Sequence, residues 1–99
     1  MDIKVIDRNT EGEFLLTGRL DANSAPETEQ LLSSMVERFD KMILNLDSLE
    51  YISSAGLRIL KILHMAMKKK GGTLALKNVN KMVMEVFEIT GFAGLLNFE

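Results

Sequence analysis

The chain has 99 residues, of which 46% are hydrophobic and 26% charged, and this predicts one small globular domain over residues 1–99. It contains no cysteine, which excludes disulfides, thiolate metal sites and thiol catalysis. The formal net charge of −2 gives nucleic-acid binding no electrostatic support. The charged N-terminus is no signal peptide, and no apolar segment approaches the roughly 18 residues of a membrane span. We expect a cytoplasmic protein that does not insert into membranes.

The first third of the chain predicts a β-hairpin followed by a helix. Residues 3–8 alternate like a strand, residues 9–12 carry a turn signal, and residues 14–17 form a second strand, so the pair is an antiparallel hairpin. Residues 25–38 predict a helix, with Ser24 as its N-cap and apolar side chains at helical spacing.

Strands and helices alternate through the rest of the chain. Residues 42–46 predict a central strand covered on both faces, residues 54–70 a second helix, and residues 73–76 another strand. Residues 79–89 predict a third helix, and residues 92–98 an apolar tail that docks on the sheet. In the third helix, the residues expected to face inward are Met82, Val83, Val86 and Phe87. The order β-β-α-β-α-β-α predicts an α/β fold, in which helices pack on a mixed sheet of four to five strands with right-handed crossovers.

The second helix is amphipathic. The residues of its core stripe are Gly56, Leu60, Leu63 and Met67, and Arg58, Lys61 and Lys68 fall on the solvent side. The three consecutive lysines at 68–70 are followed by Gly71, which is typical of a solvated helix end with cations at its negative pole.

Catalytic motifs are missing from the sequence. The nucleophile elbow G-x-S-x-G requires glycine where Ile52 stands. His64 is the only histidine. It lies roughly 15 Å by helical rise from Ser54, too far to activate that hydroxyl, and one histidine makes no metal site. No phosphate-binding loop motif is present. We therefore expect no enzymatic activity, no metal and no cofactor.

Two consecutive serines, Ser53 and Ser54, mark the remaining candidate site, where a buried strand leads into the second helix. From the residues alone, a purely capping role remains open beside a role in binding a partner or carrying a phosphate. Asp21 follows the second strand, and loops at the carboxyl ends of neighbouring strands converge at one edge of a sheet. We therefore expect Asp21 and Ser54 to share a surface, although Asp21 also fits a plain turn.

Several segments resemble the anti-sigma factor antagonists, the single-domain members of the STAS family. They are Gly18-Arg19-Leu20-Asp21, residues 44–46, residues 71–74 and residues 90–98, together with Tyr51-Ile52-Ser53-Ser54-Ala55-Gly56-Leu57. The last segment is the most specific, since it resembles the phosphorylation turn of the family. The resemblance spans nearly the whole chain and implies a STAS-like fold.

The resemblance also implies a partner-switching cycle. The unphosphorylated protein binds an anti-sigma factor that is also a serine kinase, and so releases a sigma factor. Phosphorylation by this kinase abolishes binding, and a metal-dependent serine phosphatase restores the active form. Aligning Gly56 and Leu57 with the Gly-Leu of the family places the phosphate acceptor at Ser54, with Ser53 as the second choice. Many relatives have aspartate where this chain has Ser53.

The residues expected to contact the partner are Asp21, Asn23, Ser53, Ser54, Ala55 and Arg58. Arg58 lies one helical turn after Ser54, where it can pair with an acidic residue of the partner or with a phosphate. We expect no direct contact with nucleic acid. Two alternatives remain: a constitutive STAS adaptor of a transport or signalling complex, in which Ser54 is only a cap, and a small enzyme or nucleotide-binding protein.

Overall fold

The computed structural model describes all of residues 1–99 and shows one mixed sheet of six strands with three α-helices. The strands are β1 (Asp2–Arg8), β2 (Glu11–Leu20), β3 (Lys41–Asn45), β4 (Leu49–Ile52), β5 (Thr73–Lys77) and β6 (Asn97–Phe98). The helices are α1 (Ala25–Ser34), α2 (Ser54–Lys69) and α3 (Lys81–Thr90), with a 3-10 turn at Phe92–Gly94. The predicted mixed α/β fold is confirmed, with more strands than expected. None of the helices has the length and apolar composition needed to cross a membrane.

The sheet joins an antiparallel hairpin to a set of parallel strands. β1 and β2 form the predicted hairpin, with Ile3 opposite Leu16. β2, β3, β5 and β6 follow side by side and are mutually parallel. The carboxyl ends of β2, β3 and β5 therefore meet at one edge of the sheet. The loop after β2 and the segment after β3 both begin at this edge.

β4 is a short strand that the sequence pattern does not predict. Residues 11–15 of β2 pair with β3, and residues 18–20 pair in parallel with β4. Only Leu49 and Ile52 of β4 are buried, so this strand lacks the alternating pattern that identifies a strand in a sequence. β4 leads the chain directly to Ser53 and the start of α2.

A single hydrophobic core lies between the three helices and one face of the sheet. Its residues include Phe14, Leu44 and Leu76 from the strands and Leu32, Leu63 and Phe87 from the helices. β3 is buried on both faces, as predicted, but the helices cover only one of them. On the other face, Ile43 lies between Glu13 of β2 and Ala75 of β5, and all three residues are buried.

Glu13 is a buried carboxylate on the open face of the sheet. It accepts hydrogen bonds from the Asn45 amide at 3.0 Å and the Lys77 ammonium at 3.4 Å, and it pairs with the Arg8 guanidinium at 2.9 Å. These partners, with Asn45 contributing most, hold the pKa of Glu13 below its usual value of 4.5. The carboxylate thus stays ionised and joins β2 to β1, β3 and β5.

α1 is shorter than predicted, because it ends at Ser34 instead of Arg38. The N–H groups of Met35 and Val36 bond to carbonyls three residues earlier, which tightens the chain into turns. The Lys70 ammonium donates to the carbonyls of residues 36 and 39 at 2.7 and 2.8 Å and fixes this segment. The apolar spacing beyond Ser34 therefore reflects contacts with the core and not a further helical turn.

The prediction that Met82 faces inward is wrong, since Met82 is 54% exposed. Six of the ten residues of α3 are apolar, so their spacing does not define one buried face. Asn80 fixes the rotation of α3. Its side chain accepts from the Val83 N–H at 2.8 Å and donates to the Leu49 carbonyl at 2.8 Å. This turns Val83 and Phe87 into the core and leaves Val86 half-buried.

Candidate functional site

The candidate site lies where the ends of β2 and β4 meet the start of α2. The Ser53 N–H donates to the Leu20 carbonyl at 2.9 Å, which ties the start of the helix to the end of β2. Gly56 packs against both strands: a Cβ there would lie 2.8 Å from Leu20 Cγ and from Ile52 Cγ1, and 2.9 Å from the Leu20 carbonyl oxygen. Only glycine allows this close approach, so Gly56 sets the position of the first turn of α2.

The two serines have different surroundings. Ser53 is the N-cap of α2, with extended backbone, and its hydroxyl oxygen accepts from the Gly56 N–H at 3.4 Å. Ser53 is half-buried, and its carbonyl accepts from the Leu57 N–H at 2.9 Å. Ser54 is the first residue of the helix, as predicted, and is exposed. Since Ser53 alone supplies the side-chain cap, the hydroxyl of Ser54 has no structural task at the helix start.

The loop between β2 and α1 is closed by Asp21. Its carboxylate accepts from the backbone N–H groups of Asn23 at 3.0 Å and Ser24 at 3.2 Å. These bonds hold the pKa of Asp21 below its usual value, with the bond from the Ser24 backbone contributing most. The Arg19 guanidinium lies 3.8 Å from the same carboxylate. Asp21 therefore shapes the loop, as expected of a turn residue.

Ser24 is the N-cap residue of α1, as predicted, but its side chain does not cap the helix. Its hydroxyl accepts no hydrogen bond from the helix. The hydroxyl instead donates to the Arg19 carbonyl at 2.7 Å and accepts from the Asp21 N–H at 3.1 Å. Ser24 thus helps Asp21 to fix the loop that borders the site.

Arg19 and Tyr51 form a further part of this surface, and neither residue was predicted as part of the site. They are paired in register on β2 and β4, and the Arg19 guanidinium lies over the Tyr51 ring, 4.3 Å from its centre. Tyr51 remains 38% exposed. Both residues occur in the segments that carry the family resemblance, but β4 is what brings them together. Exposed arginine and tyrosine are the residue types most often important in protein interfaces.

The structure places the predicted partner-binding residues in two adjacent segments. Ser53, Ser54, Ala55 and Arg58 lie at the N-terminal end of α2, where Ala55 is half-buried against the core and Arg58 is exposed. Asp21 and Asn23 lie in the loop that follows β2. The bond between Ser53 and the end of β2 brings the two segments together at one edge of the sheet.

The chemistry of this edge is that of recognition. It offers hydroxyls, a carboxylate, two guanidinium groups and the free amides of a helix start, which together suit a protein surface or a phosphate. No group of three or more histidine, cysteine or acidic side chains in the chain is arranged to hold a metal ion. A surface groove lined by His64, Lys68 and Leu95 among others lies towards the other end of α2.

Comparison with known proteins identifies relatives along the whole chain. The family model for the STAS domain matches residues 1–99. A Bordetella bronchiseptica protein named "Putative anti-sigma factor antagonist BtrV" is 35% identical over 81 residues, which cover 81% of this chain and 70% of the relative. The anti-sigma-B factor antagonist of Bacillus subtilis is 27% identical over 99 residues, which cover 98% of this chain and 91% of the relative.

Solved structures share the fold. An anti-sigma factor antagonist from Mycobacterium paratuberculosis superposes with a TM-score of 0.87 at 20% identity, covering 98% of this chain and 83% of that protein. The anti-sigma factor antagonist SpoIIAA in its unphosphorylated form has a TM-score of 0.78 at 15% identity, covering 99% and 87%. The phosphorylated form of the Bacillus cell fate determinant SpoIIAA has the same TM-score at 16% identity, covering 99% and 91%. The chain therefore belongs to the STAS domain family.

Proposed function

We propose that the chain is a non-enzymatic anti-sigma factor antagonist that acts by partner switching. In its unphosphorylated form it binds an anti-sigma factor that is also a serine kinase, and a sigma factor is released. The kinase phosphorylates Ser54 and binding ends, until a metal-dependent serine phosphatase removes the phosphate. The observation that carries this proposal is that the two serines have different roles. Ser53 caps α2, and the Ser54 hydroxyl is exposed beside it.

A phosphate on Ser54 is compatible with the fold. The first turn of α2 contains no acidic residue that would repel it. A helix N-terminus stabilises a negative charge by typically about 0.3–1 kcal/mol, because its free N–H groups and dipole point at the charge. Arg58 is exposed one turn further on and can pair with the added charge. We therefore expect phosphorylation to leave the domain folded.

The same phosphate opposes docking. It adds a charge of about −1.5 to −2 at neutral pH. Burying an unpaired charge at an interface costs several kcal/mol. Changing the bound fraction from about 99% to about 1% requires roughly 5.5 kcal/mol. The two energies are comparable, so one phosphate is sufficient to switch binding without any change of fold.

By its resemblance to the family, the chain carries Ser53 at a position where aspartate is expected. Its hydroxyl oxygen is held by the Gly56 N–H, and the residue is half-buried. Phosphorylation there would have to displace the capping bond. Serine at the N-cap supplies the same kind of acceptor as aspartate, without the charge. We therefore assign the phosphate to Ser54 and the capping role to Ser53.

The test uses the anti-sigma factors of the organism that encodes the chain. Each is incubated with the protein and ATP, and the modified residue is mapped by mass spectrometry. We expect one phosphate, on Ser54, which is retained in Ser53→Ala and lost in Ser54→Ala. Phosphate at other residues would refute the site. Tight binding to an anti-sigma factor without any phosphorylation, equal in wild type and Ser54→Ala, would instead indicate a constitutive adaptor.

A further inference from the structure

The solvent-facing side of α2 is cationic along its length. We call it the α2 outer face and define it by Ser54, Arg58, Lys61, Ile62, Met65, Lys68 and Lys69, all of which are exposed. At about 100° per residue they fall within an arc of about 120°. α2 has four basic and no acidic residues. The rest of the chain has eight basic and fourteen acidic residues, so positive charge is concentrated on this helix.

The cations of the α2 outer face are not used within the domain. None of Arg58, Lys61, Lys68 and Lys69 forms an ion pair, whereas Arg8, Arg19, Arg38, Lys41 and Lys77 all do. The other two helices have a different charge pattern. α1 carries two glutamates and no basic residue, and α3 carries one lysine and two glutamates. The α2 outer face thus presents four unpaired cations to an acidic partner, more than either of the other two helices.

Two apolar side chains lie midway along the length of this face. Ile62 is 38% exposed and Met65 is 51% exposed. They follow Ser54 by two and three helical turns, about 12 and 16 Å along the axis. Along the helix axis, Arg58 and Lys61 precede this pair, and Lys68 and Lys69 follow it. An apolar centre with a charged rim is the usual composition of a docking surface.

We propose that the partner of the Ser54 site docks along the whole α2 outer face, through an apolar strip with an acidic rim. This proposal rests on the proposed function, because the face is continuous with Ser54. It also gives the phosphate a second effect. A phosphoserine at the end of the face meets the acidic rim of the partner and repels it, in addition to being costly to bury.

The experiment takes the anti-sigma factor that binds the wild-type protein and measures its affinity for two pairs of variants. Met65→Gln and Lys61→Glu change the α2 outer face far from Ser54. Met82→Gln and Lys4→Glu are the controls, since Met82 is 54% exposed on α3 and Lys4 is exposed on β1. We expect the α2 variants to bind about tenfold more weakly or worse, and the controls to bind within about twofold of wild type. Unfolding in urea verifies that all four variants are folded.

The dependence of the affinity on salt, and binding to lipid vesicles, are measured as well. Wild-type affinity is expected to fall as salt rises, and to fall less in Lys61→Glu, because fewer charge pairs are screened. If all four variants bind like wild type while Ser54 phosphorylation still abolishes binding, the docking proposal is overturned and the proposed function stands. If the wild type binds no anti-sigma factor, both are overturned. Binding of wild type to phosphatidylglycerol vesicles, lost in the α2 variants whose anti-sigma affinity is intact, would assign the face to a membrane surface and overturn the proposal.

Discussion

Replacing each serine with alanine separates helix capping from partner switching. Ser53→Ala removes the acceptor of the Gly56 N–H, and loss of such a cap costs about 0.5–2 kcal/mol. The oxygen–nitrogen distance of 3.4 Å is long for this kind of bond, so we expect the lower part of this range, about 0.5–1 kcal/mol. Ser54→Ala replaces an exposed serine by the best helix former, and we expect the free energy of unfolding to change by less than about 0.5 kcal/mol.

Thermal unfolding monitored by circular dichroism measures both variants. In a domain of this size, 1 kcal/mol corresponds to about 4–8 °C in Tm, so Ser53→Ala should lower Tm by about 2–8 °C. Ser54→Ala should unfold close to the wild-type Tm. If Ser54→Ala is the more destabilised of the two, the roles of the two hydroxyls are reversed and the assignment of Ser54 as the free hydroxyl is refuted.

Three further substitutions test the fold, one at the candidate site and two away from it. Gly56→Ala places a methyl group against the Leu20 carbonyl. We expect the free energy of unfolding in urea to fall by about 1–3 kcal/mol, because the helix propensity of alanine offsets the clash only in part. A more stable variant would contradict the close approach. Glu13→Gln should be less stable than wild type at pH 7. Because the pKa of Glu13 is lowered in the folded state, this difference should close as pH falls below 4.5 and through the native pKa; a difference independent of pH would contradict the ionised network. Lys70→Met removes two hydrogen bonds to the carbonyls of residues 36 and 39. We expect the free energy of unfolding in urea to fall by about 1–3 kcal/mol. An unchanged unfolding midpoint would show that these bonds are not made in solution.

Helices and strands whose ends are set by neighbouring residues were predictable from the sequence. α2 begins at Ser54 as predicted, because a capping serine precedes an amphipathic pattern there. The end of α1 was not predictable, because Val36 and Phe39 continue the apolar spacing of the helix while their burial comes from the core. The start of α2 and the end of α1 differ in how far apart in the sequence the interacting residues are. Caps act within one turn, whereas the carbonyls of residues 36 and 39 are held by Lys70, more than thirty residues away.

The candidate site was only partly predictable for the same reason. The proximity of Asp21 to the serines follows from the convergence of strand ends, and the Leu20–Ser53 bond brings these segments together. The contact between Arg19 and Tyr51 depends on β4, whose four residues have no periodic pattern and whose partner strand lies more than thirty residues earlier. The exposure of Met82 depends on how Asn80 anchors α3, which spacing alone does not specify.

The central claim is that negative charge on Ser54 leaves the domain intact and prevents docking. The most direct measurement is calorimetric titration of an anti-sigma factor with protein that carries phosphoserine incorporated at position 54 during synthesis, beside unmodified protein, with the Tm of each sample recorded. We predict at least a hundredfold loss of affinity with a Tm equal to or slightly above that of the unmodified protein. Equal affinities, or a loss of affinity accompanied by unfolding of the phosphorylated sample, would contradict the claim.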